Sequence, residues 1–100
     1  MLARLHVIVS SEKDEDIETV KQRLLQIDSE FSISPAREYQ GLKGHSEFYC
    51  TFKIHENKIQ SLLDKLNNDW EGEREECDCY GFNTKMFHEL VYYLEFILFD

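Results

Sequence analysis

Twice along this chain a stretch suited to a β-strand gives way to apolar residues at helical spacing, and that repeated switch constrains the fold more than any other feature. The first switch follows Leu2 to Val9, a β-rich run bounded by Ser10-Ser11. Beyond it, Ile17, Val20, Leu24 and Ile27 recur at the helical period, while Glu12, Asp14, Glu15 and Asp16 crowd the start. Acids in a first turn suit the positive end of a helix dipole, so this helix is predicted from near Asp14 to near Asp28. The second switch is sharper. Phe48, Cys50, Phe52 and Ile54 alternate with Tyr49, Thr51 and Lys53, the pattern of a half-buried strand. Ile59, Leu62, Leu63 and Leu66 then share one helical face, with Trp70 one turn further on.

The remaining segments read as strands and turns. Ser32 to Tyr39 is a weaker strand, and Pro35, which lacks an N–H donor, makes it an edge strand or one that starts after the proline. Gly41-Leu42-Lys43-Gly44 is a hairpin loop, and Cys77 to Phe82 a fourth strand after a polar turn. Leu90 to Phe99 fits a helical stripe through Phe87, Leu90, Val91, Leu94, Ile97 and Leu98, but its β-branched and aromatic content favours a fifth strand. The order is β-α-β-β-α-β-β. It predicts an α+β fold of ferredoxin-like β-α-β-β-α-β plan with an added C-terminal strand, both helices on one face of an antiparallel sheet, and residues 1–100 forming one domain.

Composition narrows the class. An apolar fraction of 42% and an aromatic fraction of 13% over 100 residues oppose disorder. No apolar run approaches the ~18 residues that span a bilayer, and Met1 to His6 lacks the marks of a signal peptide. Cys50, Cys77 and Cys79 are odd in number, and a Cys-x-Cys pair is too close for an unstrained disulfide, so a reduced, cytoplasmic setting is expected. The net charge of −9, with the bases scattered along the chain, disfavours direct nucleic-acid or membrane binding.

No constellation points to catalysis. Cys77-x-Cys79 with Cys50 and any of His6, His45, His55 and His88 supplies metal-binding atoms, but the spacing is poor for zinc, and on a strand both thiols face one way as core residues do. No glycine-rich elbow surrounds a cysteine, and Gly41 to Gly44 leads into a strand rather than the helix a phosphate cradle needs. The alternating ligands of an EF-hand loop are absent. The expectation is a non-enzyme that needs neither cofactor nor metal.

The acidic segment remains. Asp69, Glu71, Glu73, Glu75, Glu76 and Asp78 place six carboxylates in ten residues against one base, Arg74. If the later part is extended, Glu73 and Glu75 share one face and Glu76 and Asp78 the other. Carboxylates beside aromatic rings grip Lys and Arg, so Asp69, Trp70, Glu71, Glu73, Glu75, Glu76, Asp78 and Tyr80 form the predicted partner-binding set. The competing reading is a solvated loop with Trp70 in the core.

With the acidic run Asp69 to Glu76 and the tail Tyr92-Tyr93-Leu94-Glu95-Phe96, the chain resembles the small acidic immunity proteins of bacterial toxin–immunity pairs, such as those of contact-dependent growth inhibition. The resemblance implies a cognate toxin domain as partner, often a basic nuclease, whose cleft the protein blocks with carboxylates that stand in for phosphates. The alternative is a ferredoxin-like ligand-sensing or regulatory subunit that acts as a homodimer through its open sheet face. An inhibitor of this kind is expected to be a monomer or a weak homodimer, and a regulatory subunit an obligate dimer.

Overall fold

Strand β1 (Leu2–Val9) buries Ala3, Leu5, Val7 and Val9 fully on one side of the sheet, and Ile8 is buried on the other. The computed structural model describes residues 1–82 and 85–99, and β1 lies near the middle of its seven-stranded antiparallel sheet. Helix α1 (Asp14–Ile27) follows, with Asp14, Glu15 and Asp16 in its first turn as expected from the dipole. It buries Ile17, Val20 and Leu24.

The proline-containing edge is split into β2 (Ser32–Ile33) and β3 (Arg37–Glu38), both paired with β4 (Ser46–Lys53). Ser34 stitches the break: its N–H donates to the Tyr49 carbonyl at 2.8 Å, and its hydroxyl accepts the Tyr49 N–H at 2.9 Å. A single 3₁₀ turn at Glu56–Lys58 leads into α2 (Ile59–Leu66), which buries all four of its stripe residues. The hairpin β5 (Glu71–Glu73) and β6 (Glu76–Tyr80) comes next, then β7 (Val91–Leu98). The stripes of both helices share one core with Leu5, Val7, Phe48, Phe96, Cys50 and Cys77, which fill the inner face of the sheet.

Residues 91–98 are a strand, but the last strand in the chain is not the outermost in the sheet. The spatial order is β2-β4-β1-β7-β6-β5, so β7 pairs directly with β1 and the hairpin lies outside it. Length and chemistry explain this placement. β7 matches the eight residues of β1 and supplies Leu94 and Phe96, both 0% exposed, to the core. β6 has five residues and carries acids on its outward side, which suits a flank better than a centre.

Candidate functional site

The sheet face turned away from the helices carries polar and aromatic residues. Strand alternation places Arg4, His6 and Ile8 of β1 there, with Glu47 and Tyr49 of β4, Tyr93 and Glu95 of β7, and Glu76, Asp78 and Tyr80 of β6. A polar cluster forms at its centre. His6 Nε2 lies 2.7 Å from Glu47 Oε1, and Arg37 Nε donates to Glu47 Oε2 at 3.0 Å, so a carboxylate only 7% exposed is held from two sides. The His6 ring stacks on Tyr49 at 4.4 Å between centroids, and the Arg4 guanidinium sits over Tyr49 at 4.9 Å and Phe99 at 5.4 Å.

Toward β6 the face changes character. Register pairs Glu71 with Asp78, Asp78 with Glu95, and Glu95 with His6, so three carboxylates stand directly opposite one another on successive strands. Glu71, Glu76, Asp78 and Glu95 line a hollow of about 210 Å³. Like charges at directly opposed positions repel, and among the described residues none of the three carboxylates makes an ion pair with a base. Arg74 is drawn to Glu56 at 2.7 Å, while Lys53, Lys58 and Lys65 gather round a separate hollow with Asp28. Asp78 does accept one donor, the Tyr93 hydroxyl at 2.9 Å. Burial, reinforced by that bond and the nearby negative charge, holds the Tyr93 hydroxyl well above the usual phenol range, so it stays a donor.

Beside the acids lies a second hollow, of about 430 Å³. Ile8 forms its floor, Tyr80, Tyr92 and Tyr93 one wall, and Tyr39, Gly41 and Leu42 the other, with Glu95 and His6 at the margin. Two consecutive tyrosines can face the same hollow because β7 is bulged: Ile8 pairs with Tyr93 but Val9 with Val91, leaving Tyr92 as the extra residue. Val91 thereby returns to the core at 2% exposure. The Tyr92 ring meets His45 edge-on at 5.1 Å and Tyr80 at 5.9 Å, tying the 39–45 loop to β6. Backbone contact closes the corner: a Cβ on Gly81 would fall 2.0 Å from the Val91 carbonyl oxygen, so only glycine lets the strands approach this closely. In the lining of the hollow Leu42 and Tyr80 are each 37% exposed, and Phe82, 76% exposed, packs against Tyr80.

The residues expected from sequence to bind a partner divide between two faces. Glu71, Glu76, Asp78 and Tyr80 come together on the open face. Glu73 stands opposite Glu76 at the edge of the same face and also lines a neighbouring hollow with Gln60 and Leu63, while Glu75 lies in the tight turn after Arg74, so Glu73 shares its face with Glu76 and Asp78 rather than with Glu75. Asp69 is exposed, its N–H donating to Asn67 Oδ1 at 3.1 Å. Trp70 packs half-buried against the core, its indole N–H donating to the carbonyls of Leu63 at 2.9 Å and Asn67 at 3.0 Å. The packing anticipated as the competing reading therefore describes Trp70, although its segment is a hairpin rather than a loop. Tyr39, Leu42, Tyr92 and Glu95 belong to the open face and were outside the expected set. Their one sequence signal was Tyr92-Tyr93 inside a strand, since regular alternation would have sent one phenol into the core.

The three thiols point inward. Burial pushes Cys50 and Cys79 up to about 12 and Cys77 to about 11, with Lys21 opposing the shift at Cys50 and Asn67 opposing it at Cys79. Among the described residues no group of His, Cys, Asp and Glu side chains converges as a metal site, and no helix is long and apolar enough to cross a membrane. No protein-family model, curated protein or solved structure matches the chain.

Proposed function

We propose that this chain is a non-catalytic binding domain whose open sheet face engages a basic protein, in the manner of an immunity protein that neutralises a cognate toxin domain. The observation that carries the reading is the row Glu71, Asp78 and Glu95, whose carboxylates oppose one another with no ion pair to a base among the described residues, adjoining an exposed aromatic hollow. Such an arrangement costs stability in the free protein and is relieved when cations dock on it. Aromatic rings at the same place supply the desolvated anchor that converts charge attraction into lasting affinity. The sheet order β2-β4-β1-β7, with one helix between β1 and β2 and the other between β4 and β7, supports a ferredoxin-like reading of the core. In that reading the β5–β6 hairpin is an insertion before the fourth core strand.

The test uses the product of the adjacent gene in a bacterial host. Expressed alone it should arrest growth, and co-expression of this chain should restore it. The triple variant Glu71→Lys, Glu73→Lys, Glu76→Lys alters only exposed side chains, so its fold should persist. With purified proteins it should associate at least about tenfold more slowly at low salt, with the difference shrinking as salt rises. Equal association rates for wild type and triple variant would refute binding through this face.

A further inference from the structure

We infer that the hollow between the bulged end of β7 and the 39–45 loop receives one arginine side chain of the partner. The inference rests on the binding role proposed above and names the residue that anchors it. Its first support is the composition of the walls. Tyr39, Tyr80, Tyr92 and Tyr93 present four phenol rings around an apolar floor at Ile8, a lining that accepts a flat cation by stacking. The second support is Glu95. It is half-buried at the margin of this hollow, also lines the acidic hollow beside it, and makes no hydrogen bond or ion pair among the described residues.

A guanidinium is the cation that satisfies both features at once. Its plane stacks on a tyrosine face while its edge donates two parallel hydrogen bonds to a carboxylate. An ammonium group is a compact, strongly hydrated charge that gains less from ring faces and loses more water on entering. The volume of about 430 Å³ lies in the range of preformed binding pockets, and the partly exposed Leu42 in its lining can cover the apolar stem of the entering side chain. Nearby acids Asp78, Glu76 and Glu71 raise the local concentration of cations without themselves lining this hollow.

The experiment titrates the full chain, uniformly labelled with nitrogen-15, with the capped tripeptide acetyl-Gly-Arg-Gly-amide, and separately with its lysine and citrulline counterparts. The arginine peptide should shift the amides of residues 39–42 and 92–95, and bind about fivefold tighter than the lysine peptide and about tenfold tighter than the neutral citrulline peptide. Glu95→Gln and Tyr80→Ala should each weaken the arginine peptide about fivefold with unchanged amide dispersion, because one is isosteric and the other alters an exposed ring. Equal affinity for all three peptides, or shifts centred on β5 with no response to Glu95→Gln, would overturn the inference. The two proposals fail separately. If the triple acid reversal impairs partner binding while Glu95→Gln and Tyr80→Ala do not, the binding face stands and the arginine receptor falls. If the arginine peptide is selected in the hollow but the adjacent gene product is neither bound nor neutralised, the receptor stands and the proposed function falls.

Discussion

Cys50, Cys77 and Cys79 show how position changes the chemistry of a residue. Each thiol faces the core, and burial favours its neutral form, so the folded-state values of about 11 to 12 exceed the ordinary 9.0. A raised value means that the folded chain holds its protons more tightly than the unfolded one. The associated stability is complete below pH 9.0 and is lost as pH climbs through the folded values. Tyr93 adds to the same alkaline trend because its hydroxyl is also held protonated. The urea midpoint is therefore expected to be flat between about pH 7 and 8.5 and to fall steadily by about pH 10.5. A midpoint independent of pH over that range would contradict the burial of these groups.

Helix α2 is only eight residues long, and what ends it matters more than its intrinsic propensity. Its last carbonyls gain donors from beyond the helix: Trp70 donates to Asn67 and, beside the Asn67 N–H, to Leu63, and the Phe87 N–H donates to Leu66 at 2.8 Å. Trp70 thus links the helix to the start of the β5–β6 hairpin and is part of the scaffold that holds the acids in place. Trp70→Phe keeps most of the ring but removes the donor, and should cost about 1–2 kcal/mol of stability. Calorimetric melting checks the loss, and binding of the adjacent gene product at a temperature where the variant is folded should match wild type. A large loss of affinity without loss of stability would instead make Trp70 a contact residue. Gly72 serves the same hairpin: its φ of +112° and the 2.6 Å approach of a would-be Cβ to the Glu76 carbonyl oxygen leave no room for another residue.

The charge of the whole molecule, −9, is concentrated by the sheet rather than spread evenly. Antiparallel register sets acids from three separate strands side by side, while Arg74 is engaged by Glu56 and Lys53, Lys58 and Lys65 are gathered elsewhere. A face tuned only for stability would place a base within that row. Glu71→Lys should accordingly stabilise the free protein by roughly 0.2–1 kcal/mol, because it turns a like-charge cross-strand pair with Asp78 into an opposite-charge one. The same substitution should weaken partner binding. Chemical denaturation and surface-plasmon measurements on one preparation test both signs, and a variant that is less stable yet binds as well as wild type would refute the trade-off.

The local pattern determined the helices and the longer strands, but not β5, which lies in a segment that reads as a polar turn. Apolar period alone located both helices and the strand at 46–53, and Pro35 marked the broken edge, because periodicity and a missing N–H act within a few residues of chain. The acidity of residues 69–78 was equally plain from composition. Tertiary structure decided which strands became neighbours, and with that the site. Pairing β7 with both β1 and β6 brought Glu95 beside Asp78, and one bulged residue turned Tyr92 toward the hollow with Tyr93. Trp70 was drawn the other way, onto the helix end, by carbonyls that no local pattern marks as unsatisfied. Strand order is set by competition among long-range pairings, and register by which faces can be buried together. Neither is written in any short stretch of the chain.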